Sequence, residues 1–373
     1  MTTLRGPFRA DEVGSLLRPQ AIKDARAKVE KGELSPAALR EIEDGEIEKV
    51  VRKQKEIGLK LATDGEFRRS WWHFDFLARL TGCELYHPDH GIQFSGVQTR
   101  NDSIRVIGKL DFPDDHPMLD HFRFLKTQCD ALGTVAKMTI PSPAVLHFRG
   151  GRKAISTEFY PELDTFFADL GVTYKKAVKA FYDAGCRYLQ FDDTVWAYLC
   201  SPDEMRKARE RGDDPDNLQK IYSDVINTAL KDKPADMVVT THVCRGNFRS
   251  TWISSGGYEP VAETLLAGTG YDGYFLEYDS ERAGGFEPLR FLPKGNKIVV
   301  VGVITSKTGT LEKKDDIKRR LDEAAKFAPL EQLALSPQCG FASTEEGNIL
   351  AVDEQWAKLS LAVEVADEVW GRG

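Results

Sequence analysis

Apolar and polar positions along this chain follow two periods, and together they predict an α/β protein. Short apolar runs rich in β-branched residues are typical of buried strands, and they occupy 59–63, 135–140, 188–191, 237–241, 273–276, 298–303 and 332–335. Longer stretches have apolar residues at helical spacing, and they occupy 36–57, 162–184, 215–230, 260–266, 314–328 and 354–370. With one more strand around Val13, the alternation has eight units and predicts a (β/α)8 TIM barrel. A doubly wound sheet is the competing architecture.

The stretch from about 80 to 125 does not follow this alternation. Residues 104–110 have the pattern of a strand, and residues 92–97 are its expected partner. The pattern therefore predicts an antiparallel insertion after the second barrel strand. The segment up to Glu33 is expected to cross the barrel before the first long helix. Because neither a repeat nor a low-complexity linker interrupts the chain, we predict a single TIM-barrel domain, 1–373, with an insertion at about 80–125.

Composition and charge indicate which partners the chain binds and in which compartment it works. The formal net charge of −7 disfavours nucleic acid as a partner, because nucleic-acid binders usually present a basic face. No apolar run reaches the ~18 residues of a membrane span, and charged residues interrupt the N-terminal segment where a signal peptide would have its apolar core. Six cysteines are too few for a disulfide framework and suit a reducing compartment. We therefore predict a cytoplasmic protein that binds neither membranes nor nucleic acid.

Side chains that commonly bind metals follow three of the predicted strands. His242 and Cys244 lie two residues apart at the end of the 237–241 run, so an extended chain directs both to the same side. Glu277 ends the 273–276 run, and Cys339 comes shortly after the 332–335 run. Imidazole, thiolate and carboxylate are all donors that zinc accepts. The four residues together predict a zinc site, whereas each of them alone would be read as a core or turn residue.

Further polar residues share this placement. In a barrel of parallel strands the chemistry lies at the carboxyl ends, where this sequence has Ser15, Asp64, Glu66, Asp192, Asp193 and Lys307. Asp192 or Asp193 could instead cap a helix N-terminus. Glu66 could instead form an ordinary ion pair with Arg68 or Arg69. A zinc ion with one exchangeable position lowers the pKa of an incoming thiol, which predicts alkylation of a sulfur nucleophile. The other cysteines lack such partners and are assigned to packing: Cys83, Cys129, Cys186 and Cys200.

At these positions the sequence resembles the catalytic half of the cobalamin-independent methionine synthases, and the resemblance spans nearly the whole chain. The zinc ligands of that family are a His-x-Cys pair, a Glu and a distant Cys, which match, in order, His242, Cys244, Glu277 and Cys339. The resemblance further implies that Asp192 and Glu66 bind the ammonium group of the amino-acid substrate. It also implies that Ser15, in an early Gly-Ser element, receives the substrate carboxylate.

Two departures from the family's pattern leave the methyl donor open. Full-length members carry a second, N-terminal barrel that helps to hold folate polyglutamate, and these 373 residues suffice for one barrel. The family also has a histidine after the seventh strand for proton delivery, where this sequence has Lys307. A lysine donates a proton only if its pKa is lowered, or it binds an anionic group. Lys307 is therefore only a candidate catalytic residue.

The resemblance predicts a zinc-dependent methyltransferase that makes methionine from homocysteine, with methyltetrahydrofolate as the default donor. The alternative is a zinc-dependent alkyltransferase that joins another thiol to another electrophile, for example an epoxide. Two functions of other classes remain: a metal-free hydrolase that uses Glu66 and Asp192 as acid and base, and a non-catalytic protein that zinc stabilises. The aromatic run Trp71, Trp72 and His73 is either part of a helix packed on the barrel or a stacking wall for the donor.

Overall fold

The computed structural model describes residues 5–89 and 91–371, and a parallel sheet organises them. The strands are β1 (Leu61–Ala62), β2 (Thr81–Tyr86), β3 (Gln93–Phe94), β4 (Val97–Gln98), β5 (Ser103–Asp111), β6 (Val135–Pro141), β7 (Tyr188–Asp193), β8 (Val238–Val243), β9 (Gly273–Glu277), β10 (Ile298–Ile304) and β11 (Leu333–Pro337). Seven of them form one sheet in the order β1-β6-β7-β8-β9-β10-β11, and all neighbours are parallel. Parallel strands buried on both faces are near-continuous apolar runs, which is why the sequence pattern located all seven.

The sheet curls so that strands far apart in its order approach each other. Lys137 of β6 and Phe275 of β9 are not on neighbouring strands, yet Lys137 Nζ lies 4.1 Å from the centre of the Phe275 ring. At the other edge, β11 pairs in parallel with the N-terminal segment through a bridge between Ala10 and Leu335. Asp11 N donates to Leu335 O over 3.0 Å. The N-terminal segment therefore extends the curled sheet beyond β11.

The TIM barrel predicted from the sequence is found in part, as an α/β fold with a curled, seven-stranded parallel sheet. The strand expected around Val13 is absent from the described residues, and the described N-terminal segment has only the bridge at Ala10. Gly14 explains the difference, because its φ of 141° lies outside the extended region that strand residues adopt. Val13 forms a buried apolar cluster with Phe275, Val300 and Ala334 of the sheet. Closure into an eight-stranded barrel stays a prediction.

Helices pack against this sheet. They are α1 (Gln20–Glu30), α2 (Pro36–Glu56), α3 (Phe74–Leu77), α4 (Pro117–Leu132), α5 (Val145–Phe148), α6 (Leu163–Asp183), α7 (Val195–Tyr198), α8 (Pro202–Glu210), α9 (Pro215–Leu230), α10 (Lys314–Ala324) and α11 (Val352–Trp370). Side-chain N-caps precede two of the long helices. Ser35 Oγ accepts from Ala38 N at the start of α2, and the Asp214 carboxylate accepts from Asp216 N at the start of α9.

The helix predicted at 260–266 is a π-helical turn, Glu263–Ala267, instead. Gly268 N bonds to Glu263 O, five residues back, as well as to Thr264 O. Helix α1 lies in the N-terminal segment, for which the sequence indicated only a crossing chain. No described helix is long and apolar enough to cross a membrane.

The antiparallel strands lie in the expected region but pair differently. Strand β5 pairs with β2, so its predicted pairing with 92–97 is wrong. Strands β3 and β4 form a separate small hairpin, because Gly96 with φ 79° turns the chain back on itself. Helix α4 packs against β6 and α2, so the antiparallel part ends at Asp111 rather than near residue 125. One apolar cluster includes residues from Leu16 to Val365, and a single domain stays our prediction.

Candidate metal centre

Four side chains that commonly bind metals meet at one edge of the sheet. His242 lies in β8, Cys244 follows it directly, Glu277 ends β9, and Cys339 lies just beyond β11. Because parallel strands end at the same edge, these residues come together: one ligand atom from each lies within 4.8 Å of the others, and all four side chains are buried. No other group of three or more His, Cys, Asp or Glu residues in 5–89 and 91–371 has this geometry. We call these four residues the ligand cluster.

The donor atoms fit a tetrahedral cation such as zinc. Cys244 Sγ and Cys339 Sγ lie 3.6 Å apart, and two sulfurs bound to zinc at ~2.3 Å with a tetrahedral angle would be about 3.8 Å apart. His242 Nε2 lies 3.9 Å from Glu277 Oε1. The other carboxylate oxygen, Glu277 Oε2, is buried and has no hydrogen-bond partner among the described residues, although buried polar atoms are normally bonded. A cation between these atoms would be the partner it lacks.

Backbone N–H groups orient two members of the ligand cluster. Arg245 N donates to Glu277 Oε1 over 3.1 Å, and Gly246 N donates to Cys244 Sγ over 3.3 Å. Glu277 N also donates to the hydroxyl of Tyr258 over 3.0 Å. These bonds fix the carboxylate and the thiol from outside the cluster, as outer contacts of metal ligands commonly do.

Asp192 orients the imidazole of the ligand cluster. His242 Nδ1 lies 3.5 Å from Asp192 Oδ1, so the carboxylate favours the tautomer with its hydrogen on Nδ1. Gln190 Nε2 donates to the same Asp192 oxygen over 2.8 Å and holds it in place. The Nε2 atom of His242 lies on the side of Glu277 and the two sulfurs, where it donates to Gln338 O over 3.2 Å, and a cation bound to Nε2 would replace that contact.

The ligand cluster brings acidic groups close together, and this proximity shifts the pKa values of its side chains. Burial opposes ionisation of Cys339, but the hydrogen bond with Cys244 and the charge of His242 lower the pKa of Cys339 well below its usual range. Burial lowers the pKa of His242, but the charges of Cys339 and Asp192 and the hydrogen bonds with both together outweigh burial and raise that pKa to about 10. Burial, and then the charge of Cys339, raise the pKa of Glu277 to about 7. A divalent cation would relieve this crowding of thiolate and carboxylate.

A cavity that opens to solvent adjoins the ligand cluster, and its empty space, open solvent included, is about 550 Å³. It is lined by three members of the cluster, His242, Cys244 and Cys339, and by all three substrate-binding residues predicted from the sequence, Ser15, Glu66 and Asp192. The structure therefore brings the predicted metal ligands and the predicted amino-acid contacts to one place. We call this space the first cavity.

Glu66 faces the first cavity from a tight turn. Gly65 and Glu66 have φ values of 64° and 60°, and such values are uncommon for a residue with a side chain. Glu66 Oε1 accepts from Thr139 Oγ1 over 2.9 Å and lies 3.5 Å from Arg69 Nη1, whereas Oε2 has no partner among the described residues. Burial raises the pKa of Glu66 to about 7, with Arg69 opposing the shift and Asp192 adding to it. An acceptor atom is thus available beside Asp192.

The two other acids at strand ends serve the backbone. Asp193 Oδ1 accepts from Val195 N at the start of α7, so it caps that short helix. Asp64 Oδ1 accepts from Glu66 N over 2.8 Å and stabilises the turn that presents Glu66. Neither acid lines the first cavity. Of the Asp192–Asp193 pair, only Asp192 is directed toward the ligand cluster.

Ser15 is held close to the loop that follows β11. Its carbonyl oxygen accepts from Phe341 N over 2.8 Å. A Cβ atom added to Gly340 would lie 2.0 Å from Ser15 Oγ, so only glycine fits beside this hydroxyl. The contact fixes Ser15 next to the loop that carries Cys339.

Lys307 does not direct a proton toward the first cavity. Its Nζ donates to Gly246 O over 3.3 Å, to Asn247 Oδ1 over 3.2 Å and to Thr251 O over 3.3 Å. An ammonium group has three N–H donors, so all of them are used within the loop after β8. Lys307 is not among the residues that line the first cavity. Its prediction as a catalytic residue therefore has no geometric support, because the side chain anchors a loop instead.

An aromatic wall completes the first cavity, and sequence reasoning found only part of it. The wall and its rim contain Trp71, Trp72, His73, Ile92, Phe94 and Arg149. Helix α3 begins only at Phe74, so a turn rather than a helix presents Trp71, Trp72 and His73. The Trp71 ring stacks on Phe248 with centroids 6.4 Å apart. The sequence did not indicate that Ile92, Phe94 and Arg149 line the first cavity, because none of them lies at the end of a strand of the main sheet.

Comparisons with known proteins identify the family of this chain. The family described as cobalamin-independent synthase, catalytic domain, matches residues 8–121 and 134–368. The protein YxjH of Bacillus subtilis, described as uncharacterized, is 52% identical over 366 residues, which cover 98% of this chain and 96% of the relative. Methionine synthase of Pyrococcus abyssi is 25% identical over 292 residues, which cover 78% of this chain and 73% of the relative.

A solved structure extends the likeness to three dimensions. The crystal structure of a Listeria monocytogenes protein, described as a putative vitamin-B12 independent methionine synthase, matches with a TM-score of 0.79 and 47% sequence identity. The match covers 99% of this chain and 100% of that one. Since the family match includes the ligand cluster and most of the chain, this protein belongs to the family of cobalamin-independent methionine synthase catalytic domains.

Proposed function

We propose that the protein is a zinc-dependent methyltransferase that transfers a methyl group to the thiol of homocysteine and releases methionine. The observation that carries the proposal is the ligand cluster beside a cavity lined by Glu66 and Asp192. The reaction needs a place that ionises a sulfur and a place that binds an amino acid, next to each other. The first cavity offers donors suited to both.

The ligand cluster would hold Zn²⁺ through one imidazole nitrogen, two thiolates and one carboxylate oxygen. Zinc held there would lower the pKa of a thiol that enters its coordination sphere, so the sulfur would be ionised at neutral pH. Asp192 keeps Nε2 of His242 directed at the cluster, and Arg245 N keeps the Glu277 carboxylate oriented. These outer contacts prepare the donors before the cation arrives.

The amino-acid end of homocysteine would bind at Glu66, Asp192 and Ser15. Glu66 Oε2 is a buried acceptor without a partner among the described residues, and an ammonium group brings three donors. The hydroxyl of Ser15 can donate to the substrate carboxylate. With the ammonium and carboxylate groups fixed, the thiol at the other end of the molecule is aligned with the ligand cluster, and such alignment contributes a large share of a bimolecular rate.

Methyltetrahydrofolate is the default methyl donor, as the family suggests. The position of Lys307 keeps a second candidate function open, because its donors are used within a loop and none is directed at a leaving group. That candidate is a zinc-dependent alkyltransferase that joins another thiol to another electrophile, such as an epoxide. The six cysteines are all free of disulfides, which suits a reducing compartment, and we expect the reaction to take place in the cytoplasm.

Metal analysis and methionine formation test the proposal together. Protein purified with reductant should contain one zinc per chain, and homocysteine should raise its melting temperature. It should form methionine with 5-methyltetrahydrofolate as mono- or polyglutamate, or with a methylated corrinoid. Stoichiometric zinc without stabilisation by homocysteine would favour the alkyltransferase. A protein without zinc would refute both functions.

A further inference from the structure

Two cavities meet at the side chain of His73. The first cavity adjoins the ligand cluster. A second cavity, whose empty space with open solvent included is about 650 Å³, lies between strands β2 and β5 of the insertion and the segment 145–150, which contains helix α5. His73, Ile92 and Arg149 line both of them. A molecule that extends from the second cavity to the ligand cluster therefore passes these three side chains.

His73 has unused hydrogen-bonding capacity at this junction. The residue is only 2% exposed, and neither ring nitrogen has a partner among the described residues, although buried polar atoms are normally bonded. The ring is packed in place, with its centroid 4.3 Å from that of Trp72 and 3.9 Å from that of Phe74. Arg149 brings a second unbonded donor, Nε, to the same junction.

The imidazole at this junction is neutral. Burial, and then the charge of Arg149, hold the pKa of His73 well below its usual range. A neutral imidazole has one donor nitrogen and one acceptor nitrogen. Both ring nitrogens are buried where the two cavities meet, and no described residue offers either of them a partner.

Other groups that could contact a second substrate here are already engaged. The three donors of Lys307 bind the loop after β8. Of the histidines in the described part of the chain, only His73 and His242 line the first cavity, and His242 belongs to the ligand cluster. His73 is therefore the imidazole available to a molecule that approaches the cluster.

We propose that His73 and Arg149 form the polar contact for the second substrate, the donor of the methyl or alkyl group, and that the second cavity holds the rest of that molecule. The identity of this molecule as a donor rests on the proposed function. The existence of the subsite rests on the two cavities and on the unbonded nitrogens where they meet.

The two side chains select a chemical class of donor. A neutral imidazole pairs with a heteroatom that has a lone pair or an N–H group, and Arg149 attracts a carboxylate or another anion. The lone pair of a sulfonium sulfur is too weakly basic to accept a hydrogen bond, and a quaternary ammonium nitrogen has none. Arg149 repels both cations, although aromatic walls alone would attract them. The subsite therefore fits a neutral or anionic heterocycle rather than an onium compound.

Calorimetric binding to the zinc-loaded protein, without homocysteine, tests this subsite. The probes are 5-methyltetrahydrofolate for the heterocycle class and trimethylsulfonium for the onium class. His73→Phe keeps an aromatic ring in the packing but removes both nitrogens, and we expect 5-methyltetrahydrofolate to bind about tenfold more weakly, as the loss of a buried hydrogen bond implies. Zinc content and homocysteine binding should not change.

Three more variants complete the test. His147→Phe is the matched control, because His147 is also buried with an unbonded Nε2 but lines neither cavity; it should bind the probe as the wild type does. His73→Gln keeps one donor and one acceptor and should retain most of the affinity. Arg149→Met tests the same junction without altering His73, and it should also weaken binding of 5-methyltetrahydrofolate.

Three results would overturn the proposal: equal affinity in the wild type and both junction variants, tighter binding of trimethylsulfonium than of the folate, or no binding of the folate to the wild type. The proposed function fails in a different way. If 5-methyltetrahydrofolate binding depends on His73 but no methionine forms with any donor, the subsite stands and the assigned reaction does not.

Discussion

Replacing Lys307 by methionine separates an anchoring role from a catalytic one. Lys307 Nζ donates three bonds of 3.2 to 3.3 Å to the loop that follows β8 and begins with Cys244. These bonds are longer than the ~2.7–2.9 Å of most charge-assisted bonds, so we assign each about 1 kcal/mol. Lys307→Met leaves three acceptors without their donor and should lower the free energy of unfolding by about 3 kcal/mol.

The same substitution should weaken metal binding. Burial and then Cys339 raise the pKa of Glu277, whereas the charge of Lys307 lowers it, so removing that charge disfavours the ionised ligand. The loop that carries Cys244 also loses its anchor. Outer contacts of metal ligands typically change affinity by about 10- to 100-fold, and we expect a loss of zinc affinity in that range. Turnover should recover when zinc is in excess.

Urea unfolding and zinc competition with a chelator measure the two effects, and Lys297→Met is the matched control. Lys297 precedes β10 as Lys307 follows it, and its Nζ donates to Leu266 O, Thr269 O and Tyr274 Oη. The control should lose comparable stability and keep its zinc affinity. A Lys307→Met protein with unchanged stability and zinc affinity, but about 100-fold slower turnover at saturating zinc, would refute this reasoning and return Lys307 to proton delivery.

Three further predictions concern the ligand cluster and the first cavity. Cys339→Ala should lose stoichiometric zinc on dialysis, whereas Cys200→Ala, a buried thiol outside the cluster, should keep it; equal zinc contents would contradict the site. Glu66→Gln should abolish the rise in melting temperature with homocysteine and leave zinc content unchanged, and a shift like that of the wild type would exclude Glu66 as an ammonium contact. Burial raises the pKa of Glu66 from 4.5 to about 7, so its contribution to stability is complete below about pH 4.5 and is lost as the pH rises to about 7. Between about pH 5 and pH 8 the wild type should therefore lose more stability than Glu66→Gln, by at most about 3 kcal/mol in urea unfolding, and equal losses would refute the shift.

The main sheet could be predicted because its strands are buried on both faces and are therefore continuous apolar runs. The failures have local backbone causes. Gly14, with φ 141°, ends the extended chain where a strand was expected, and Gly96, with φ 79°, folds the expected partner of β5 onto itself. The helices of four residues, such as α3 and α7, are too short to show a helical period.

The ligand cluster was accessible from the sequence because each member lies at the end of an apolar run, and parallel strands bring such ends together. The sequence could not show whether Asp192 or Asp193 faces the ligand cluster, since that depends on which of the two caps α7. The environment of Lys307 depends on a loop some 60 residues earlier in the chain, at Asn247. No local pattern encodes such a contact, nor the approach of Arg149 to the aromatic wall.

Contacts at the edge of the sheet and in the ligand cluster join residues that are far apart in the chain, and this separation has a consequence for biosynthesis. Arg9 bonds to Leu333 across 324 positions, and Cys339 follows Cys244 by 95 positions. At translation rates of ~5–20 residues per second, about 5–20 s elapse between the synthesis of the two thiols. During that interval the nascent chain exposes an imidazole and a thiol without their partners. Until Cys339 is made, His242 and Cys244 are therefore open to the thiol reductants and metal ions that surround the ribosome.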